Sequence, residues 1–253
     1  MTTNRYGPLG LALKSMHDKI AQEPVVPWIN KTVRAVFFDA IGTLIAPVVH
    51  PAHTYIEVAS RYGAELPEGL ISGRFRAAFQ REEEADEQAG WRVDEERERQ
   101  RWRRIVATCL SEVSDIESCF RDLWEHFSRP EAWRPHPQAA EVLAELQARG
   151  LVVGIASNFD ARLLSVLEEI GELSLVRGCC VISSLVGFRK PAAEFFEAVV
   201  ASANSPHQSV LFVGDQPRND VAGARAAGLR AVLYDPDGDS GMPDAIRNLR
   251  SLL

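Results

Sequence analysis

The stretch VFFDAIGTLI, residues 36–45, decides how the rest of the chain is read. With Val33 and Ala35 before it, it forms an apolar run that ends on Asp39, and a Gly-Thr turn follows at Gly42 and Thr43. Such a run predicts a strand buried on both faces, as parallel sheets require. A single carboxylate at the mouth of that strand is placed like a nucleophile. Position 41 is the irregularity, because Ile41 stands where a second acid is expected.

Downstream, the pattern alternates helix and strand. QAAEVLAELQARG (138–150) predicts a helix ending at Gly150, and LVVGIAS (151–157) a strand. DARLLSVLEEIG (160–171) predicts a helix with Asp160 as its N-cap, CCVISS (179–184) a strand, and PAAEFFEAVVASA (191–203) a helix with Pro191 in its first turn. SVLFVGD (209–215), NDVAGARAAGL (219–229) and RAVLYD (230–235) predict strand, helix and strand, and PDAIRNLRSLL (243–253) a closing helix. The alternation predicts an α/β fold, a Rossmann-like doubly wound parallel sheet with helices on both faces.

Residues 50–134 differ. They read as helices broken at GAELPEG (63–69) and near residues 90 and 114, an insertion into the sheet domain. Within them, REEEADEQAGWRVDEERERQRWRRIVATCL (81–110) reads as a solvated helix face laced by i,i+4 pairs. The alternative is that some of Arg101, Arg103 and Arg104 face a ligand. PEAWRPHP (130–137) closes the insertion. Residues 1–32 form an N-terminal extension with a short amphipathic helix and a proline linker, EPVVPW.

In open α/β sheets ligands sit at the carboxyl ends of the strands. Asp39, Ser157 with Asn158, and Gly214 with Asp215 all lie there, and Lys190 lies in the loop after the third strand. Asp215 and Asp220 sit five residues apart across a turn, so three carboxylates converge with Asp39. Three bare carboxylates repel one another, and an all-oxygen ligand set suits Mg²⁺ completed by a substrate phosphate. Thr43, Ser157, Asn158 and Lys190 supply hydroxyl, amide and ammonium donors around the same point, a cradle for an anion. The chain has four lysines, Lys14, Lys19, Lys31 and Lys190, against 24 arginines. Lys190 therefore marks a place where a compact ammonium serves and a planar guanidinium does not.

The bulk properties narrow the partners. A net charge of -7 gives no general attraction to nucleic acid or acidic membrane. No apolar run approaches the roughly 20 residues that span a bilayer. Cys109, Cys119, Cys179 and Cys180 form no CxxC or metal spacing and read as reduced thiols of a cytoplasmic protein. The first 22 residues carry a short apolar patch interrupted by Lys14 and no cleavage-site pattern, which argues against a signal peptide. Oligomeric state is not readable.

The set Asp39-Ala-Ile-Gly-Thr43, Ser157-Asn158, Lys190-Pro191 and Gly214-Asp215-x-x-x-Asn219-Asp220 resembles the haloacid dehalogenase superfamily, with four motifs in family order. SNFDARL (157–163) and FSRPEAW (127–133) narrow the resemblance to one branch of it. The resemblance covers residues 33–253 and implies a core of 33–49 with 135–253 and a small helical cap over 50–134. It implies a phosphatase that acts on a small phosphorylated molecule through an aspartyl-phosphate. Carried over, Asp39 is the nucleophile. Thr43 and Ser157 bind the phosphoryl oxygens, and Lys190 holds both nucleophile and phosphate. Asp39, Asp215, Asp220 and the Ile41 carbonyl hold Mg²⁺.

The family's phosphatases carry a second Asp where this chain has Ile41. That acid protonates the leaving group and then activates water, help worth about 10²- to 10⁴-fold. Three readings follow. The first is a phosphatase for a leaving group that needs no proton, or one with a substitute acid such as His50, with His53 beside it. The second is a dehalogenase-like hydrolase. Such enzymes also lack the second acid, but they need no metal and lack the acid kept here as Asp215. A Schiff-base mechanism is set aside, because residues 50–134 contain no lysine. The third is a catalytically weak protein that binds phosphorylated ligands.

Overall fold

The computed structural model describes residues 28–253. The expected N-terminal helix and all of the proline linker except Trp28 lie outside the described residues. In chain order the strands are β1 (Ala35–Phe38), β2 (Ile45–Pro47), β3 (Trp133–Pro135), β4 (Val152–Ser157), β5 (Cys180–Ile182), β6 (Val210–Gly214) and β7 (Arg230–Leu233). The helices of eight residues or more are α1 (Pro51–Arg61), α2 (Glu68–Gln88), α3 (Glu95–Cys109), α4 (Ile116–His126), α5 (Ala139–Ala148), α6 (Arg162–Glu169) and α7 (Ala193–Ala203).

Five strands form one sheet in the order β5-β4-β1-β6-β7, and every pairing in it is parallel. The chain builds outward from β1 in one direction, then crosses to the other side at β6. The crevice where strand order reverses lies beside β1, and that is where such sheets hold ligands.

Residues alternate between the two faces although almost all are apolar. Val36, Phe38, Leu211 and Val213 pack with Val142, Leu143 and Leu146 of α5 and Leu163 and Val166 of α6. Ala35, Phe37, Val210 and Phe212 pack with Phe195, Phe196 and Val199 of α7. Fully burying side chains of this size stabilises by roughly 1.5–3 kcal/mol each. Helices α1 to α4 form a separate layer around Tyr55, Ile71, Ile105, Phe120 and Leu123. The antiparallel ribbon of β2 and β3 carries the chain into and out of that layer.

A second connection joins layer and sheet domain. The Val93 N–H donates to the Gly187 carbonyl (3.1 Å) and the Arg189 N–H to the Trp91 carbonyl (3.0 Å). The turn between α2 and α3 is thereby paired with the loop that carries Lys190.

Three local expectations are corrected, and one at Asp160 is met. Residues 243–253 do not form an α-helix. Ile246 instead exchanges backbone bonds with Leu233 and Asp235 (2.8 Å each) beyond β7, and only Leu249–Leu252 closes into a 3-10 turn. Sheet-edge bonds there outcompete helix propensity. As expected, Asp160 satisfies the start of α6, which begins at Arg162: its Oδ1 accepts the Arg162 N–H (3.1 Å). It is fully buried and forks onto Arg162 Nε and a terminal guanidinium nitrogen (2.7 Å each). Pro191 precedes α7, which begins at Ala193. The helix expected over 219–229 begins as a π turn, Pro217–Ala222, and continues only through Gly223–Ala226.

The largest departure concerns residues 81–110. Asp86, Glu98 and Arg101 are each 1% exposed, so this is not a solvated face. Arg103 and Arg104 do follow the surface pattern, pairing with Glu117 and Glu82. Asp94 caps α3 by accepting the Arg97 N–H (2.7 Å), and three glutamates in its first turn favour its start.

Candidate active site

Asp39 leaves the end of β1, where its own N–H donates to the Val213 carbonyl of β6 (2.8 Å). That bond holds the carboxylate over the centre of the sheet. Asp215 follows β6, and Asp220 returns from the π turn. One ligand oxygen from each of Asp39, Asp215 and Asp220 lies within 4.8 Å of the others.

The close approach needs glycine twice. Gly42 has φ +92°, and a Cβ there would sit 2.5 Å from an Asp215 carboxylate oxygen. At Gly214 a Cβ would overlap the Asp220 carboxyl group. The pairing of Ile41 with Ile45 uses the Ala40 carbonyl and the Gly42 N–H, so the Ile41 carbonyl is not spent on it.

Lys190 enters this cluster from the loop after β5. Its Nζ donates to Asp39 Oδ1 and Asp220 Oδ1 (2.6 Å each) and to the Ala156 carbonyl (3.3 Å). Burial opposes its charge, but Asp220 and Asp39 outweigh burial and push the ammonium up to about 12. Burial, followed by the like charges of Asp39 and Asp220, pushes the Asp215 carboxyl up to about 7. Burial raises Asp220 to about 6 against the pull of Lys190. Three carboxylates face one ammonium, an excess of negative charge in a buried place.

Three acceptor oxygens there lack partners among the described residues. Asp215 Oδ1, Asn219 Oδ1 and Thr43 Oγ1 are buried without a hydrogen bond. Leaving such groups unmet costs about 1–3 kcal/mol each, so they point to a missing occupant. A divalent cation between the carboxylates and an anion beside Thr43 fit that donor set and its charge.

Ser157, at the end of β4, is buried and lines the same space. Asn158 differs from the expectation of a phosphate donor. Its Nδ2 donates to the Lys190 carbonyl (3.0 Å) and its Oδ1 accepts the Lys190 N–H (2.7 Å). Both ends of the amide grip the backbone of Lys190, so Asn158 positions the lysine. His50 is corrected as a substitute acid. It is exposed, accepts the Ala52 N–H at the start of α1 (3.4 Å) and does not line the site. His53 pairs with Glu68.

From the carboxylates a cavity of about 420 Å³ runs into the helical layer. One wall is aromatic: Phe75 stacks near Phe79, and both lie beside Trp102, with ring centroids 6.0 to 6.5 Å apart. Across it lie Phe120 with Trp124 (5.6 Å) and Phe127 with Trp133 (5.8 Å). Ile41 lines this cavity beside Asp39.

Several of these residues were missed in the sequence. Gln216 steadies both later acids: its N–H donates to Asp220 (2.9 Å) and its side-chain amide to Asp215 (2.9 Å). The pairs Phe75/Phe79 and Phe120/Trp124 are spaced i,i+4, a signal that marks one helix face. Arg189, next to Lys190, is buried against Asp86 (2.6 Å) and Glu98 (3.4 Å).

The sequence pattern of the family described as haloacid dehalogenase-like hydrolase matches residues 33–228. Haloacid dehalogenase-like hydrolase domain-containing protein 3 of Xenopus laevis, from the branch whose motifs the chain resembles, is 28% identical over 218 residues. That match covers 81% of this chain and 85% of the relative. A ribulose-1,5-bisphosphate 5-phosphatase of Halopiger xanaduensis is 36% identical over 105 residues, 41% of this chain and 44% of that protein. Among solved structures, a HAD phosphatase from Thermococcus onnurineus superposes with a TM-score of 0.63 at 21% identity, covering 87% of this chain and 96% of that one. That likeness is one of fold.

Proposed function

The chain belongs to the haloacid dehalogenase-like hydrolases, and from that premise we propose that it is a Mg²⁺-dependent phosphatase acting on a small phosphorylated molecule. The carrying observation is the buried cluster of Asp39, Asp215, Asp220 and Lys190, with its excess negative charge and unmet oxygens. The ribulose-bisphosphate relative supports the reaction class.

In this reading Asp39 is the nucleophile. One of its oxygens attacks phosphorus and forms an aspartyl-phosphate, which water then hydrolyses. Lys190 holds the Asp39 carboxylate in place and neutralises the arriving phosphoryl oxygens, and Asn158 fixes the lysine. Thr43 and Ser157 donate hydroxyls to the phosphoryl group. Asp39, Asp215, Asp220 and the Ile41 carbonyl hold the metal, which supplies charge neutralisation at the phosphoryl oxygens when bound. The layer of α1 to α4 serves as the cap of a core formed by residues 33–49 and 135–253.

Ile41 cannot exchange a proton, so in this reading the leaving group departs without one from the protein. The setting is cytoplasmic, in keeping with four free cysteines, of which burial pushes the Cys119 thiol up to about 11. No described helix is long and apolar enough to cross a membrane.

The test is phosphate release from para-nitrophenyl phosphate and a panel of phosphorylated metabolites, with and without Mg²⁺. Wild type should release phosphate only with Mg²⁺, and Asp39→Asn should lose at least about 10⁴-fold. Ile41→Asp should raise turnover of alkyl phosphates by about 10²-fold and that of aryl phosphates far less. Halide release from 2-haloacids without metal would instead establish the dehalogenase reading. Turnover that appears only in Ile41→Asp would mark the wild type as a binding protein.

A further inference from the structure

We propose, resting on the phosphatase reading above, that the substrate is the monophosphate of an uncharged aromatic alcohol, an aryl phosphate with no second charged group. Three independent observations meet in the cavity above Asp39.

The first is its walls. Phe75, Phe79, Trp102, Trp124 and Phe127 are large rings left only half-buried, and all of them line this one space. Exposed apolar surface is costly in water and is relieved when a flat apolar group enters between the rings. A cavity of about 420 Å³ accommodates one or two fused rings beside a phosphate. The guanidiniums extend the walls, because Arg101 lies over Phe79 (4.5 Å) and Arg162 over Trp124 (3.3 Å).

The second is the charge of the lining. Four cations face the cavity: Lys190, Arg101, Arg162 and Arg189. Each is already paired. Lys190 belongs to the acid cluster, and Arg162 is forked onto Asp160. Arg101 and Arg189 share Glu83, Asp86 and Glu98 at 2.6 to 3.9 Å. Arg97 adds a third guanidinium to those three carboxylates, so that group is neutral. Among the described residues, Arg189 Nε is buried without an acceptor, but it is not exposed to the cavity and offers a ligand no free charge. A substrate with a carboxylate, an ammonium or a second phosphate at its far end would find no free counter-charge among the described residues, and burying an unpaired charge is prohibitive.

The third is Ile41, which lines the cavity where the leaving oxygen must emerge. As an Asp39 oxygen bonds to phosphorus, the bond from phosphorus to the aryl oxygen breaks and its electron pair leaves on the aryloxide. A phenol ionises near about 10, against about 16 for water, so the aryloxide departs without a proton and takes one from water afterwards. Water then attacks phosphorus, the bond from phosphorus to the Asp39 oxygen breaks and returns its electron pair to the carboxylate, and both protons of the water leave with the released phosphate. An apolar Ile41 beside an aromatic ring is consistent chemistry, whereas beside an alkoxide it is not.

The experiment is calorimetric titration of Asp39→Asn, in Mg²⁺, with 1-naphthyl phosphate, phosphoserine and inorganic phosphate. The expected order is 1-naphthyl phosphate tightest by at least about 30-fold over both others. Phe79→Ala in the same background should weaken the naphthyl ester about tenfold more than it weakens inorganic phosphate. Equal affinity for the three ligands, or equal losses in Phe79→Ala, would overturn the proposal. The ligand comparison is made on one protein, so a poorly folding second variant does not decide it. The wild type separates the two claims. Turnover of phosphoserine without turnover of 1-naphthyl phosphate keeps the phosphatase and overturns the aryl class. Tight naphthyl binding with no turnover of any ester keeps the ligand class and overturns the phosphatase.

Discussion

Two buried charge clusters lie along one cavity, and consecutive residues belong to them. Lys190 sits among Asp39, Asp215 and Asp220, while Arg189 sits among Glu83, Asp86 and Glu98. The first cluster carries three acids against one ammonium and leaves oxygens unmet. The second balances three guanidiniums against three carboxylates. Imbalance in a buried place is tolerated only where something else arrives to correct it. Balance in a buried place serves to fasten elements together, here α2 and α3 to the loop before α7. The difference separates a site from a joint, although both are polar, dry and rich in the same residue types.

Substitutions on each side sharpen that contrast. In the unbalanced cluster, Lys190→Met should reduce phosphate release by about 10³-fold, because the donor to Asp39 and to the phosphoryl group is lost together. In the balanced cluster, Asp86→Asn leaves guanidiniums without a partner and should cost about 3 to 5 kcal/mol of stability, read from a denaturant midpoint. Turnover of acetyl phosphate by the folded fraction should stay within about threefold. A large catalytic loss without destabilisation in Asp86→Asn would break the contrast.

The smallest effect is on metal and pH. Mg²⁺ at about 100 times its dissociation constant should stabilise by about 2.7 kcal/mol. Asp215→Asn should abolish that shift in melting temperature, and Asp86→Asn should keep it. Without metal the sign is set by Asp215, raised to about 7 when folded from about 3.9 unfolded. The folded state then holds a proton that the unfolded state has released, so metal-free stability should fall as pH rises from about 4 to 7. Melting curves at several pH values with a chelator check this, and a rise over that window would contradict the placement of Asp215 among like charges.

Legibility in the sequence followed the same division. Asp39, Ser157, Lys190, Asp215 and Asp220 could be found because strand ends in a parallel sheet must converge, so order along the chain gives proximity in space. The joint could not be found this way. Asp86 and Arg189 are 103 residues apart, and the apolar stripes of α2 (Ile71, Phe75, Ala78, Phe79) and α3 (Trp102, Ile105, Val106, Cys109) stop short of Asp86 and Glu98, so no apolar pattern marks those two as buried. Asn158 was readable in position but not in role, because only the fold brings the Lys190 backbone to both ends of its amide. The terminal stretch 243–253 had helical composition, and the open edge of β7 claimed its backbone instead.

The pairing of residues 91–93 with 187–189 has a consequence for traffic through the molecule. A door hung only on the β2–β3 ribbon would swing freely. This one is also latched, by two backbone bonds and by the guanidinium joint beside them. Opening along that edge therefore has to break both backbone bonds and the Arg189–Asp86 ion pair. Hydrogen exchange at the Val93 and Arg189 amides times it directly. If the door opens there, those two protons exchange together.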